Sequence, residues 1–417
     1  MTQRPLIRRT AAPALVAVAA LALAGCGSGF DDTADSGDGG LTTSEDGLTI
    51  LIGSSGEAET AAVEEAVAAW SAESGIDASV QVANDLNQQL AQGFAAGSPP
   101  DVFYLSTDAL AGYADSGALL PYGDQLSNAD DFYPSLVQNF TYEDEFYCAP
   151  KDFSTLALII NEGLWADAGL TEADVPTTWE ELADVAATLT QDGRVGLAFG
   201  AEYQRLGVFM AQAGGALVTD DGTEAVADSP ENVEGLTYAQ EQLQAGSFAY
   251  VADIGAGWGG EAFGRELAAM TIEGNWITGA MNADYPDVEY LVAELPAGPA
   301  GQGTMQFTNC WGIAADSPNQ EAALQLVESL TSTDAQLAFS EAFGPMPSIE
   351  SAAADWTAAN PDLAAFLDGS AYAVGLPTNA GVSQVIGDFN AQLESLETGD
   401  PAGILSSVQT NLQAIVG

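Results

Sequence analysis

Leu48-Thr-Ile-Leu-Ile52 is the stretch whose reading decides the fold. A short apolar, β-branched run behind a Gly/Asp-rich segment makes a buried strand. After it, Val63, Ala66, Val67 and Trp70 recur at i, i+3, i+4 and i+7, the stripe of an amphipathic helix. A second strand is expected at Val80-Gln-Val82 and a second helix over 86–96. Pro99-Pro100-Asp101 is a turn signal that opens a third strand running to Leu105. Strand and helix alternating at this spacing build a mainly parallel α/β sheet.

The alternation resumes after Cys148. Leu156-Ala-Leu-Ile-Ile160 reads as a buried strand, and Thr178 with Glu181 as a capping box for a helix over 179–190. Strands are expected at Val195–Phe199, Ala268–Ile272 and Asn309–Ala315, with Pro318 opening a helix. The last third is mostly helical, over 320–331, 334–342, 361–368 and 381–397, and the chain carries no internal repeat. Its 417 residues are enough for two domains, and 47% hydrophobic content with 16 Phe, 12 Tyr and 7 Trp supports sizeable cores.

Arg4, Arg8 and Arg9 precede an apolar run from Ala11 to Ala24, a secretory signal shorter than the ~20 residues a bilayer span needs. It ends in Leu23-Ala24-Gly25-Cys26, which matches the bacterial lipobox, so Cys26 is expected to carry lipid and to anchor the chain outside the membrane. Residues 1–25 are read as signal and 26–47 as a flexible acidic tether.

The chain holds 7 basic and 60 acidic residues, a net charge of −53; without the three signal arginines it is −56. Such a surface repels nucleic acid and slows anionic solutes, which favours a neutral or cationic ligand. With Cys26 lipidated, Cys148 and Cys310 remain, either bridged or as two buried thiols.

Six segments in order carry a resemblance. They are Pro100-Asp101-Val102 leading to Ser116-Gly-Ala-Leu-Leu-Pro121; Tyr147-Cys-Ala-Pro-Lys-Asp152; Leu158-Ile-Ile-Asn161 with Trp165–Leu170; Pro176-Thr-Thr-Trp179-Glu-Glu-Leu182; Met270-Thr-Ile-Glu-Gly-Asn-Trp276; and Trp311-Gly-Ile-Ala-Ala315 with Ser317-Pro-Asn319. Over residues 48–417 the chain resembles the bacterial extracellular solute-binding proteins that include maltose-binding protein. The resemblance implies a type II periplasmic-binding-protein-like fold, two α/β lobes closing by a hinge around a solute. The lobes would comprise 48–149 plus 308–345 and 150–307 plus 346–417. By the same analogy the chain crosses between lobes near Cys148–Asp152 and Phe307–Cys310. Those segments being adjacent, a Cys148–Cys310 bridge steadying the hinge is expected, although family members do not typically have Cys there.

A sugar site needs aromatic plates and directed polar groups. Candidates from strand ends facing a cleft are Ser54, Ser55, Glu57, Ser106, Asp108, Glu202 and Tyr203, against the alternative of helix capping. Lys151, the only lysine, and Asp152 stand at the first crossing, Lys151 either meeting a ligand hydroxyl or neutralising cleft carboxylates. Trp276, after Glu273 and Asn275, occupies the family's stacking position. Trp258, among glycines, is read as a loop plate or a packed ring and Trp311 as a cleft floor or a core residue, whereas Trp70, Trp165 and Trp179 are read as core.

The chain has no His, and no Walker A or Gly-x-Ser-x-Gly motif, so catalysis, a metal and a cofactor are not expected. The rival enzyme is a secreted glycoside hydrolase with two carboxylates, for which 60 acids make chance pairs inevitable. The reading is a monomeric substrate-binding lipoprotein that passes a carbohydrate to an ABC permease without breaking a bond. A cationic solute such as a polyamine is the alternative cargo.

Overall fold

The computed structural model describes residues 40–219 and 221–416. The signal segment and Cys26 lie outside the described residues. Among the described residues no helix is long and apolar enough to cross a membrane.

Parallel strands β1 (Leu48–Ile52), β2 (Ala78–Val82) and β3 (Val102–Ser106) open the sheet. A hairpin of β4 (Thr141–Tyr142) and β5 (Glu145–Phe146) leads to β6 (Ala149–Asn161). Next come β7 (Val195–Phe199), β8 (Phe248–Tyr250), β9 (Ala268–Gly274), β10 (Tyr290–Ala293), β11 (Thr304–Ile313) and β12 (Ala373–Val374). The main path runs β2-β1-β3-β11-β6-β9-β7-β8, so two parallel triplets flank two long central strands. Both central strands are antiparallel to their neighbours on this path.

The central strands differ most from expectation. β6 begins at Ala149 and has 13 residues, a span of ~43 Å at the usual rise per residue. Its first half pairs with β11 and its second half with β9, so it belongs to both halves of the sheet. Apolar patterning reveals only the half from Leu156 onward. Asp152, Ser154 and Thr155 are polar and enter the strand through their pairing with β11.

Core residues separate accordingly. Ile50, Val63, Val67, Phe103, Trp311 and Leu326 share one cluster. Along β6, Leu156, Leu158 and Ile160 face a second cluster with Leu197, Phe209 and Phe389. The alternate residues Phe153, Ala157 and Ile159 face a third with Trp356 and Phe366. Period-two alternation with both faces covered explains why this strand reads as an unbroken apolar run.

Two local expectations are corrected. Thr178 caps its helix by accepting from Glu181 N at 3.3 Å, but the Glu181 carboxylate turns to Thr177, accepting from its N–H and hydroxyl at 2.8 Å. The tether is not free over its last residues. Thr42 O accepts from Glu321 N at 3.1 Å and Thr42 Oγ1 from Gln320 N at 3.2 Å, while Asn319 Nδ2 donates to Asp46 O. Helix Gln320–Leu330 starts with unpaired N–H groups, and Thr42 satisfies two of them from outside the helix.

Cys148 and Cys310 are bridged, with Cα atoms 5.7 Å apart. Both are fully buried in the first cluster.

Candidate functional site

Two ionic clusters lie at strand ends. The first is organised by a bulge: Asn309 of β11 faces Asp152 and Cys310 faces Pro150, so Lys151 has no opposite residue. A bulge re-aims a side chain, and here the aim is at helix Glu57–Ser74. Lys151 Nζ lies 3.1 Å from Glu59 Oε1, makes a close ion pair with Asp152, and sits over the Tyr104 ring at 4.6 Å. Tyr104 OH donates to Glu59 Oε1 at 3.0 Å, and Ser55 donates its N–H and its hydroxyl to Glu59 Oε2 at 2.7 Å.

Burial pushes the Glu59 carboxyl up, but Lys151 and the Ser55 donors outweigh it and hold it below 4.5. Asp152 goes the other way: burial and the nearby Glu59 raise it despite Lys151. Burial lowers the Lys151 ammonium's pKa, and its two carboxylates more than restore it. Tyr104 is pushed well above its ordinary value by burial, Glu59 and Asp152.

The second cluster sits at the ends of β7 and β9. Arg205 donates Nη2 to Glu273 Oε2 at 2.7 Å and Nε to Ile272 O at 3.1 Å, and its Nη1 is 3.6 Å from Glu202 Oε1. Trp276 Nε1 donates to the same Glu273 oxygen at 3.0 Å. Phe307 meets the Trp276 ring edge-on at 5.1 Å, and the Arg205 guanidinium lies 5.6 Å from its centroid. Gly274 makes this packing possible, since a Cβ there would come within 2.2 Å of the indole. Trp276 is nonetheless 39% exposed, the single exposed aromatic ring among the described residues. Glu202 is raised by burial and by Glu273, against the pull of Arg205.

Several candidates have other places. Trp311 is 1% exposed and packs against Tyr104 in the core, so it offers no cleft floor; β11 is covered on both faces at that point. Tyr203 is buried against Phe389, and Asn390 receives its backbone N–H. Trp258 is no free plate: half-buried, it folds over Gly260, where a Cβ would meet the ring at 2.0 Å. Asn275 is buried and donates to Ser154 Oγ and Gly344 O, which ties the end of β9 to the chain around it. Glu57 is exposed on an outer groove with Thr60 and Glu64.

Ser55 serves Glu59, and Asp108 accepts from Ser383 at 2.6 Å, a contact between elements packed on different cores. The Ser106 hydroxyl is buried without a partner. Glu59, Tyr104, Arg205 and Phe307 were not anticipated. Glu59 had a signal: it precedes Val63 by four residues, which places a carboxylate on the buried stripe.

The family model described as bacterial extracellular solute-binding protein matches residues 65–365. A putative binding protein of Brucella abortus is 25% identical over 362 residues, 79% of this chain and 83% of that protein. The diacetylchitobiose binding protein DasA of Streptomyces coelicolor is 25% identical over 281 residues, 65% of each. The solved structure of the GacH receptor of Streptomyces glaucescens, determined unliganded and with acarbose, has a TM-score of 0.77 at 23% identity. That match covers 89% of this chain and 98% of the other, and it establishes the two-lobe fold.

Proposed function

The chain belongs to the bacterial extracellular solute-binding protein family, and from that premise we propose that it binds a carbohydrate between its lobes and delivers it to an ABC permease. The observation that carries the cargo is the Trp276 indole, exposed yet pinned by Glu273, Arg205 and Phe307. A fixed aromatic face bordered by carboxylates suits a sugar, whose apolar ring face stacks while its hydroxyls donate. DasA binds diacetylchitobiose and the GacH receptor acarbose, which supports the same class here.

In this reading Trp276, Glu202, Glu273, Asp152, Ser106 and Asp108 meet the ligand. Ser55, Glu59, Lys151 and Arg205 hold those groups in place. The lobes divide at 149/150, 307/308 and 345/346, and closing them encloses the sugar. Cys26 carries lipid that keeps the monomer at the outer face of the cell membrane, and no bond is made or broken.

Tryptophan fluorescence and thermal melting under a panel of mono- and oligosaccharides test this. Saturable binding of one sugar class without a hydrolysis product is expected; at 100 times Kd it adds ~2.7 kcal/mol of stability. Sugar consumption, or silence across the panel, contradicts the reading.

A further inference from the structure

Four cations fall among the described residues, Lys151, Arg194, Arg205 and Arg265, and two of them sit in the clusters above. Both are already engaged by carboxylates, Lys151 through two of its three N–H donors and Arg205 through Nη2, with Nη1 3.6 Å from a second carboxylate. Lys151 is held by Glu59 and Asp152 and covered by the Tyr104 ring. Arg205 is held by Glu273, Glu202 and Ile272 O, with the Trp276 and Phe307 rings beside it. Each of these two cations thus faces two carboxylates, so each cluster holds more acidic than basic groups. Glu202 is the accessible member: its side chain is 37% exposed, its one ion pair among the described residues is the long one to Arg205, and it makes no capping bond to the helix it precedes.

Building on the carbohydrate reading, we propose that the cleft sorts sugars by charge: it admits neutral and amine-bearing sugars, excludes those carrying phosphate or carboxylate, and offers Glu202 to the amine. A phosphate needs N–H donors and positive potential, and here each cation already faces two carboxylates that an anion would have to displace or lie beside. The chain-wide charge acts differently. It slows the approach of anions, and salt screens it within ~10 Å or less. Selection made by partly buried neighbours of a bound ligand persists in salt.

The test is calorimetric titration of the detergent-solubilised full chain with diacetylchitobiose, its deacetylated diamine, maltose, maltose 1-phosphate and a glucuronate-ended disaccharide. It is run at physiological salt and at about 1 M. Each anionic sugar is expected to bind on the order of 100-fold more weakly than its neutral relative, at both salt levels. E202Q is expected to weaken the diamine roughly tenfold relative to diacetylchitobiose. A phosphate or uronate sugar bound as tightly as its neutral relative overturns the inference and leaves sugar binding standing. Discrimination that vanishes at high salt overturns its local origin, and an unchanged ratio in E202Q overturns the role of Glu202. If none of the sugars binds while putrescine does, the carbohydrate reading falls and this inference with it.

Discussion

The indole N–H of Trp276 donates to Oε2 of Glu273 at 3.0 Å, and that same oxygen receives Arg205 at 2.7 Å. The aromatic face and the buried cation are therefore positioned by one carboxylate that is itself 2% exposed. Removing it leaves Arg205 without its closest counter-charge and frees the indole. We expect Glu273→Ala to cost about 3 kcal/mol in urea denaturation, because breaking a buried pair strands the remaining charge. Glu273→Gln, which keeps one acceptor, should cost less. Equal losses would indicate that packing, not charge, holds the site.

Trp276 and Trp311 should separate binding from folding. Trp276→Ala is expected to weaken sugar binding by about 2 kcal/mol, roughly 30-fold, while melting changes little. Trp311→Ala empties a fully buried position and should cost about 3–5 kcal/mol of stability. Titration calorimetry paired with melting reads both, and a swapped pattern refutes the assignment.

The disulfide closes a sequence separation of 162 residues. Chain-entropy reasoning gives it a contribution of about 5 kcal/mol. The double variant Cys148→Ala, Cys310→Ala should melt lower than the parent by roughly 6 °C and still bind its sugar, since both cysteines are buried in the first core cluster. Loss of binding in a folded double variant would show that the bridge also sets the cleft geometry.

Glu59 and Asp152 have opposite linkage to pH. The Glu59 carboxyl is lowered on folding, so its contribution is present above its ordinary value of 4.5 and lost as pH falls through the folded value. Asp152 is raised, so its contribution is present at low pH and lost as pH rises from 3.8 through the folded value. Glu59→Gln should therefore lessen the loss of stability on acidification below pH 4.5. Asp152→Asn should steepen the rise of stability above pH 3.8. Denaturation curves across acid pH check both signs, and slopes equal to the parent's would exclude this linkage.

The Asp108–Ser383 hydrogen bond joins elements that pack on separate cores. If it helps hold the lobes together, Asp108→Asn and Ser383→Ala should each weaken ligand binding about fivefold, mostly through faster release, with non-additive effects in the double variant. Strict additivity would mean that the two side chains act independently.

Much of the fold was readable from local periodicity. The strand at Leu48–Ile52, the stripe Val63–Val67–Trp70 and the run Leu156–Ile160 follow rules that span a few residues, and the structure keeps them all. The antiparallel strand at 290–293 and the first half of β6 were not readable, because their strand character comes from partners far away in sequence. The site divides in the same way. A carboxylate on a buried stripe at Glu59 was visible in principle. Local sequence did not decide the exposure of Trp276, just beyond β9, or of Trp311, inside β11, because each ring's burial depends on which distant elements pack over it.

By itself the sequence determined the strands and helices with clear local periodicity, the acidity of the whole chain, and the presence of two cysteines available for one bridge. Only the tertiary structure decided that Lys151 is the bulged residue turned toward Glu59, that Arg205 lies beneath Trp276, and that each cation is shared by two carboxylates. The reason is physical. Helix and strand periodicity is set by neighbours along the chain, whereas register, bulges and ion pairing depend on which distant backbone lies alongside.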